Sequence, residues 1–202
     1  MNAGLDYNDE RHEYRIAGQV VPSVTQVLAR LSAEEYRFVD RALMESAAAL
    51  GTAVHKLIEL DLRGSLDVDA LSDGLRPYYA AWRNFMAVSG FRTVLSETRV
   101  YSARHGYAGT LDLAGWLGDR FAVIDAKRTA AVPRTAGPQT AAYEQALREH
   151  ADDAVLWPKE TSIDRYALHL KADGKWKLVP FTERNDLRVF LSAKTLHDWS
   201  KA

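Results

Sequence analysis

The sequence predicts an α/β fold, a central mixed β-sheet flanked by helices. Three observations carry that expectation. Three strand-length stretches separated by short turns occupy residues 93–126. Stretches of helical period lie on both sides of them. A strand–turn–strand pattern then returns at 164–181, after an intervening helix.

Along the chain, residues 12–21 (HEYRIAGQVV), with Gly18 in their middle, read as a short hairpin or a pair of edge strands. Pro22 and Ser23 open a segment in which Val24, Val27, Leu28 and Leu31 recur at helical spacing. Ser32 followed by Glu35 fits a capping box, in which each side chain satisfies an orphan amide at a helix start. The helix expected from there runs to about Arg63, with a break at Gly51. Residues 75–89 form a further helix, rich in aromatics and ended by Gly90. Strands follow at 93–102, 107–117 and 120–126, with turns at His105-Gly106 and Gly118-Asp119, and read as an antiparallel meander. After a loop at 128–137, Pro138 suits the first position of a helix reaching Glu149. Strands at 164–170 and 176–181 flank the Asp173-Gly174 turn, and an amphipathic helix spans 185–199. With no repeat or linker to divide it, the chain reads as one domain over residues 1–202, with an N-terminal hairpin and helix extension.

Composition narrows the chemistry. Of the 202 residues, 47% are hydrophobic and 26% charged, which suits a globular chain with a sizeable core. Cysteine is absent, which excludes disulfides, thiol nucleophiles, thiolate zinc sites and cysteine-ligated iron–sulfur clusters. Any metal must be held by His, Asp, Glu, carbonyls and water, a ligand set that favours magnesium or manganese. The balance of 26 Lys+Arg against 27 Asp+Glu argues mildly against a protein that coats duplex DNA, and leaves room for a local positive groove. No apolar run approaches the roughly 20 residues that span a bilayer, and the opening residues lack the basic-then-apolar pattern of a secretory signal. A cytoplasmic protein with no membrane partner is the expectation.

The polar residues of the meander are its most informative feature. In Gly109-Thr110-Leu111-Asp112-Leu113, strand alternation turns the two leucines to the core and Asp112 to the other side. In Ile124-Asp125-Ala126-Lys127, Asp125 and Lys127 share one face. Paired strands bring two carboxylates and one ammonium together, and two close carboxylates repel unless a cation sits between them. Alone, Asp-x-Lys is as readily the pattern of a solvated sheet face carrying a surface ion pair. Upstream, His55 follows Gly51-Thr52-Ala53-Val54 on a helix face shared with Ile58 and Leu62, suiting a core histidine or a metal ligand. Downstream, Gln139 and Tyr143 are four apart and share a helix face.

Taken in order, Gly-x-x-x-His, Gly-Thr-Leu-Asp, Ile-Asp-x-Lys and Gln-x-x-x-Tyr resemble the RecB-like branch of the PD-(D/E)XK nuclease superfamily. The resemblance covers about residues 22–145, with softer echoes at Pro22-Ser23-Val24-Thr25 and Tyr166-Ala167-Leu168-His169-Leu170. It implies a restriction-endonuclease-like core and a Mg²⁺- or Mn²⁺-dependent deoxyribonuclease acting on DNA ends. It further implies that Asp112, Asp125, His55 and the carbonyl of Ala126 ligate the metal. Lys127 would position or activate the attacking water. Gln139 would orient Lys127 or the substrate, and Tyr143 would support that helix face or touch the nucleic acid. Glu97 resembles the family's additional acid. Arg128 and Arg134, in the loop after Lys127, and Arg104, His105 and Tyr107, in the turn before Asp112, are candidate DNA contacts, with Tyr107 offered as a stacking ring. Implied partners are DNA and a recombination or single-strand-binding protein, in recombination, repair or phage DNA processing. Two alternatives stand beside this reading: an endonuclease on flaps or single strands with the same site, and a non-catalytic DNA-binding module.

Overall fold

The computed structural model describes residues 4–149 and 162–201, so Met1, Asn2 and Ala3 of the opening segment lie outside it. Three short strands come first: β1 (Leu5–Asn8), β2 (Glu13–Ile16) and β3 (Gln19–Val21), paired antiparallel in that order. The expected hairpin is β2–β3, turning at Ala17 (φ 47°) and Gly18 (φ 81°). Two positive φ angles in succession match the twist of the strands they join. β1 lies outside the expectation, because its four residues are half-exposed and carry little periodic signal. The Tyr14 hydroxyl and Thr110 Oγ1 are 2.8 Å apart, which ties this small sheet to the main one.

The first long helix, α1 (Val24–Glu35), starts from a capping box at a different place from the one expected. The Gln26 amide donates to Ser23 Oγ at 3.1 Å, and the Ser23 amide donates to Gln26 Oε1 at 2.9 Å. Ser32 and Glu35 instead occupy the last turn of α1. The expectation failed because Ser-x-x-Gln at Ser23 and Ser-x-x-Glu at Ser32 satisfy the same rule, and only Ser23 follows a strand end. Ala108 donates its amide to the Pro22 carbonyl at 3.1 Å, so α1 is launched from the main sheet.

The second helix, α2 (Arg41–Leu62), is capped by Asp40, whose carboxylate accepts from the Ala42 and Leu43 amides. It runs unbroken through Gly51, against the expected break. Helix α3 (Arg76–Ser89) ends at Gly90 (φ 68°) and locks onto α2 through the Trp82 indole, which donates to Asp61 at 2.8 Å.

The main sheet is mixed and five-stranded: β4 (Arg92–Ser102), β5 (Tyr107–Leu117), β6 (Arg120–Lys127), β7 (Ile163–Leu170) and β8 (Trp176–Pro180), in that order. All pairings are antiparallel except β6–β7, which is parallel and separated in the chain by α4 (Ala136–Glu149). A parallel neighbour needs such a crossover. Helix α5 (Asp186–Trp199) closes the order. Both sheet faces are covered. One packs Val24, Leu111, Val123, Tyr143 and Phe190 with α1, α4 and α5, and the other packs Val54, Leu57, Trp82, Leu113 and Ile124 with α2 and α3. The alternative reading of Asp-x-Lys as a solvated sheet face is therefore not met. No helix among the described residues is long and apolar enough to cross a membrane.

Candidate metal-binding active site

Leu111 and Leu113 were expected on one face, yet they pack in the two different core clusters, on opposite faces of the sheet. Simple alternation breaks between them, at Asp112. The β5–β6 register runs from Leu117↔Arg120 to Leu113↔Ile124 and stops there. Past that point the Ala126 amide donates to Asp112 Oδ2 at 2.7 Å, so a side chain replaces the next rung of the ladder. The opening between the strand ends is where the polar residues gather.

Glu97 enters from β4, between the pairs Ser96↔Leu113 and Thr98↔Leu111, and so stands across from Asp112. Its φ of 44° is left-handed, a conformation that costs a residue with a Cβ about 1–3 kcal/mol. His55, from α2, completes a trio. Its Nδ1 is 3.4 Å from Glu97 Oε1 and 3.5 Å from Asp112 Oδ1. Ligand atoms of His55, Glu97 and Asp112 lie within 4.8 Å of one another, a spacing that can hold a metal ion. The sequence ranked Glu97 behind Asp125 as a ligand, whereas the geometry sets Glu97 in the trio and Asp125 beside it.

Asp125 is 1% exposed. Lys127 Nζ stands 2.8 Å from its Oδ2, an ion-pair distance approached outside hydrogen-bonding angles. Neither Asp125 oxygen has a hydrogen-bond partner among the described residues. Lys127 Nζ instead donates to Gln139 Oε1, on α4, at 3.2 Å. Tyr143, one turn further along α4, is 3% exposed and packs under the sheet. A Cβ at Gly109 would sit 2.9 Å from its ring, so glycine permits that contact. Tyr143 is thus placed to support the helix face, and burial removes it from contact with a nucleic acid.

The charges are strongly coupled. The Asp112 carboxylate is the main cause of a His55 pKa pushed up to about 9, against the opposing effect of burial. Burial raises Asp112, with His55 and Lys127 pulling back. Burial also pushes Asp125 up to about 6, Lys127 opposing it and Asp112 adding to it. For Lys127 burial acts downward, but the Asp125 and Asp112 carboxylates outweigh it and hold the amine above its ordinary value. The site carries more negative than positive charge close at hand: Asp125 Oδ2 is met by the Lys127 ammonium, its Oδ1 has no partner among the described residues, and the half-buried Asp112 carboxylate stands nearby. The donor set of carboxylates, one imidazole and the nearby Ala126 backbone fits a hard divalent ion such as magnesium or manganese.

No family model and no curated protein matches the chain. Among solved structures it is similar to LHK-Exo in complex with dAMP, at 12% identity and a TM-score of 0.36, over 89% of this chain and 87% of that one. A second similar structure is an alkaline exonuclease (LHK-Exo) from Laribacter hongkongensis, at 14% identity and a TM-score of 0.28, over 88% of each chain. Both overlaps are shallow, and the functional reading rests on the geometry of the site itself.

The remaining candidates separate clearly. Arg128 is half-buried beside Lys127, at the wall of a groove that opens next to His55. Arg134 is exposed, and its amide donates to Glu35 Oε1 at 2.6 Å. Arg104 is exposed in the β4–β5 turn, near Glu149 rather than the site. The turn lies five residues from Asp112 along β5, about 17 Å at the usual strand rise. Tyr107 is a correction: its ring is fully buried against Phe190 and its hydroxyl donates to the Ala142 carbonyl, so it has no face for a base. The same distance from the site applies to its neighbour His105.

Sequence reasoning passed over two neighbours of the site. Glu35 caps the start of α4 from across the chain, accepting from the Arg134 amide, and from Thr135 Oγ1 at 2.9 Å. Tyr36, at the end of α1, shares the groove with Lys127. Tyr36 carries no local motif, and the capping-box pattern at Ser32 and Glu35 assigned Glu35 to the wrong helix start. His169 Nε2, at 2.7 Å from the Thr129 carbonyl, gives the echo at 166–170 a physical role in anchoring the loop after Lys127.

Proposed function

We propose that this protein is a divalent-metal-dependent deoxyribonuclease of the PD-(D/E)XK superfamily, RecB-like branch, hydrolysing phosphodiester bonds from DNA ends in recombination, repair or phage DNA processing. The observation that carries this reading is the buried Asp125 carboxylate beside Asp112: Lys127 meets its Oδ2, and its Oδ1 has no partner among the described residues. A purely structural ion pair would leave no buried oxygen over. A carboxylate left open next to a second one is what a cation-binding centre requires.

Magnesium or manganese bound by Asp112, Asp125, His55 and the Ala126 carbonyl, with Glu97 as an additional acid, supplies Lewis acidity at the phosphoryl oxygen and lowers the pKa of a water. The Asp125 and Asp112 carboxylates hold the Lys127 amine above its ordinary value, so it offers positive charge at the site. That charge faces the non-bridging oxygens as the water oxygen adds to phosphorus and negative charge accumulates. The water gives up its proton to solvent as it adds, the bond from phosphorus to the leaving oxygen breaks, and that oxygen takes a proton from solvent. Gln139 holds the Lys127 amine in place, and Tyr143 keeps α4 seated.

The test uses end-labelled single- and double-stranded DNA alongside covalently closed circles, with magnesium and with EDTA. Metal-dependent loss of nucleotides from linear DNA, with circles untouched, is expected. Cleavage of the circles would replace the exonuclease with an endonuclease using the same site. No cleavage, with manganese binding also absent, would overturn the nuclease reading.

A further inference from the structure

Opening from the polar centre, with which it shares His55, Ala126 and Lys127, is a groove of about 540 Å³ whose apolar wall the chemistry above leaves unused. That volume falls within the roughly 300–1,000 Å³ of pockets that hold small organic groups. One wall is the end of α1 and the overhanging start of α2, contributing Tyr36, Val39, Leu43 and Met44. The facing wall is Lys127 and Arg128, at the end of β6. Leu43 is 63% exposed, with Val39 and Met44 near 40%. Single exposed apolar residues need no explanation, but a contiguous apolar wall at the mouth of a polar centre does.

The helix itself shows why that wall is bare. The second half of α2 buries Val54, Leu57 and Ile58 against the sheet. Its first ten residues, about 15 Å of helix, carry no residue in either core cluster apart from the partly buried Leu50. This stretch is held by the Asp40 cap and by its continuity with the buried half, and its apolar side chains face the groove rather than a core.

We infer that this groove receives the unstacked base of the nucleotide bearing the scissile phosphate, so that the substrate class is DNA whose strand is unpaired where it is cut. This rests on the nuclease reading above. Charge and shape select the occupant. Lys127 and Arg128 offer a phosphate two positive charges, no carboxylate among the described residues lines the groove, and the groove is continuous with His55 and the strand-end centre. The apolar wall and the Tyr36 ring suit the face of a base, an interaction that tolerates any sequence because every base has such a face. A base inside a duplex has both faces covered by its neighbours and cannot enter. An apolar peptide would match the wall but not the cationic side, which has nothing to offer its side chains.

The experiment compares single-stranded oligonucleotides that differ only in whether the terminal nucleotide at each end carries a base or is abasic. With magnesium, the full-length protein is expected to cleave base-bearing ends with a kcat/KM about tenfold above abasic ends, and frayed ends faster than blunt paired ends. In Leu43→Ser/Met44→Gln, both sites being exposed enough to spare the fold, the base-to-abasic ratio falls towards one. A terminal 2-aminopurine gives a readout without turnover. In EDTA its fluorescence changes on binding the wild type and not the double variant. Cleavage with a ratio of one in the wild type would overturn the inference and leave the nuclease reading intact. So would a dimer in sedimentation that the double variant dissociates with the ratio unchanged, since the groove would then hold a second copy of the chain. If nothing is cleaved, the nuclease reading fails and 2-aminopurine decides the groove: a response lost in the variant keeps a base-binding site, and no response removes it.

Discussion

Two buried charged clusters lie under the same helix, α4, on neighbouring strands, and they are built on opposite principles. On β7, Arg165 is 9% exposed and fully answered. Its Nη1 donates to the Gly137 carbonyl at 3.0 Å and to Asp186 at 2.9 Å, its Nη2 to the Glu183 carbonyl at 3.0 Å, and its Nε lies 3.3 Å from Glu144. On β6, Asp125 is more deeply buried and has no hydrogen bond. A closed network ties β7 to the starts of α4 and α5 and holds the scaffold. An incomplete one costs stability, and a cation bound there would restore it. The difference sets apart a charge that the scaffold answers in full from one that it leaves in part to a ligand.

Substitutions on the two sides should diverge. The largest effect belongs to Lys127→Ala, expected to lower cleavage about a thousandfold, on the order of 4 kcal/mol of barrier, in protein that circular dichroism shows to be folded. Arg165→Ala should do the reverse. It leaves Asp186 and Glu144 without their cation and should cost about 3 kcal/mol of stability in urea titration, while the protein that remains folded still cleaves.

Manganese should stabilise the wild type by about 2.7 kcal/mol at a hundredfold excess over its Kd, with a pH dependence set by the ligands. Asp125, whose folded pKa is raised to about 6, favours folding below its unfolded value and loses that contribution as pH rises through 6. His55 contributes fully below its unfolded value and loses its contribution as pH rises through 9. The Asp125 contribution is therefore gone by pH 6, above which the ionised carboxylate can bind a cation, and the His55 contribution falls away from there to pH 9. The manganese-induced rise in Tm should be larger at pH 7.5 than at pH 5, and equal rises would break the contrast between the two clusters. The smallest effect is Glu35→Ala, which removes the acceptor at the start of α4 and should cost about 1 kcal/mol, as helix caps do.

The sequence carried more of the site than of its surroundings. The meander, the helix and hairpin that follow it, and the shared faces of Asp125 with Lys127 and of Gln139 with Tyr143 were legible, because period-two and period-3.6 patterns assign faces without knowledge of contacts. Asp112 itself lies where period two breaks, so the reading of its flanking leucines failed there. The capping box was misplaced because two sites satisfied one local rule. Tyr107 looked available because sequence cannot show that α4 and α5 cover the end of β5. Glu97 could not be ranked, since its left-handed backbone and its position across from Asp112 exist only in the paired sheet. Tyr36 and Glu35 act over a hundred residues of chain or nearly so, and no window of sequence contains both partners.

The central claim is that the open Asp125 carboxylate is half of a cation site, and manganese titration by calorimetry tests it most directly. At pH 7.5 the wild type should bind manganese saturably, with proton release as His55 gives up its proton, and Asp125→Asn should lose most of that affinity while remaining folded. A wild type that binds no manganese, or an Asp125→Asn variant that binds it equally well, would contradict the claim.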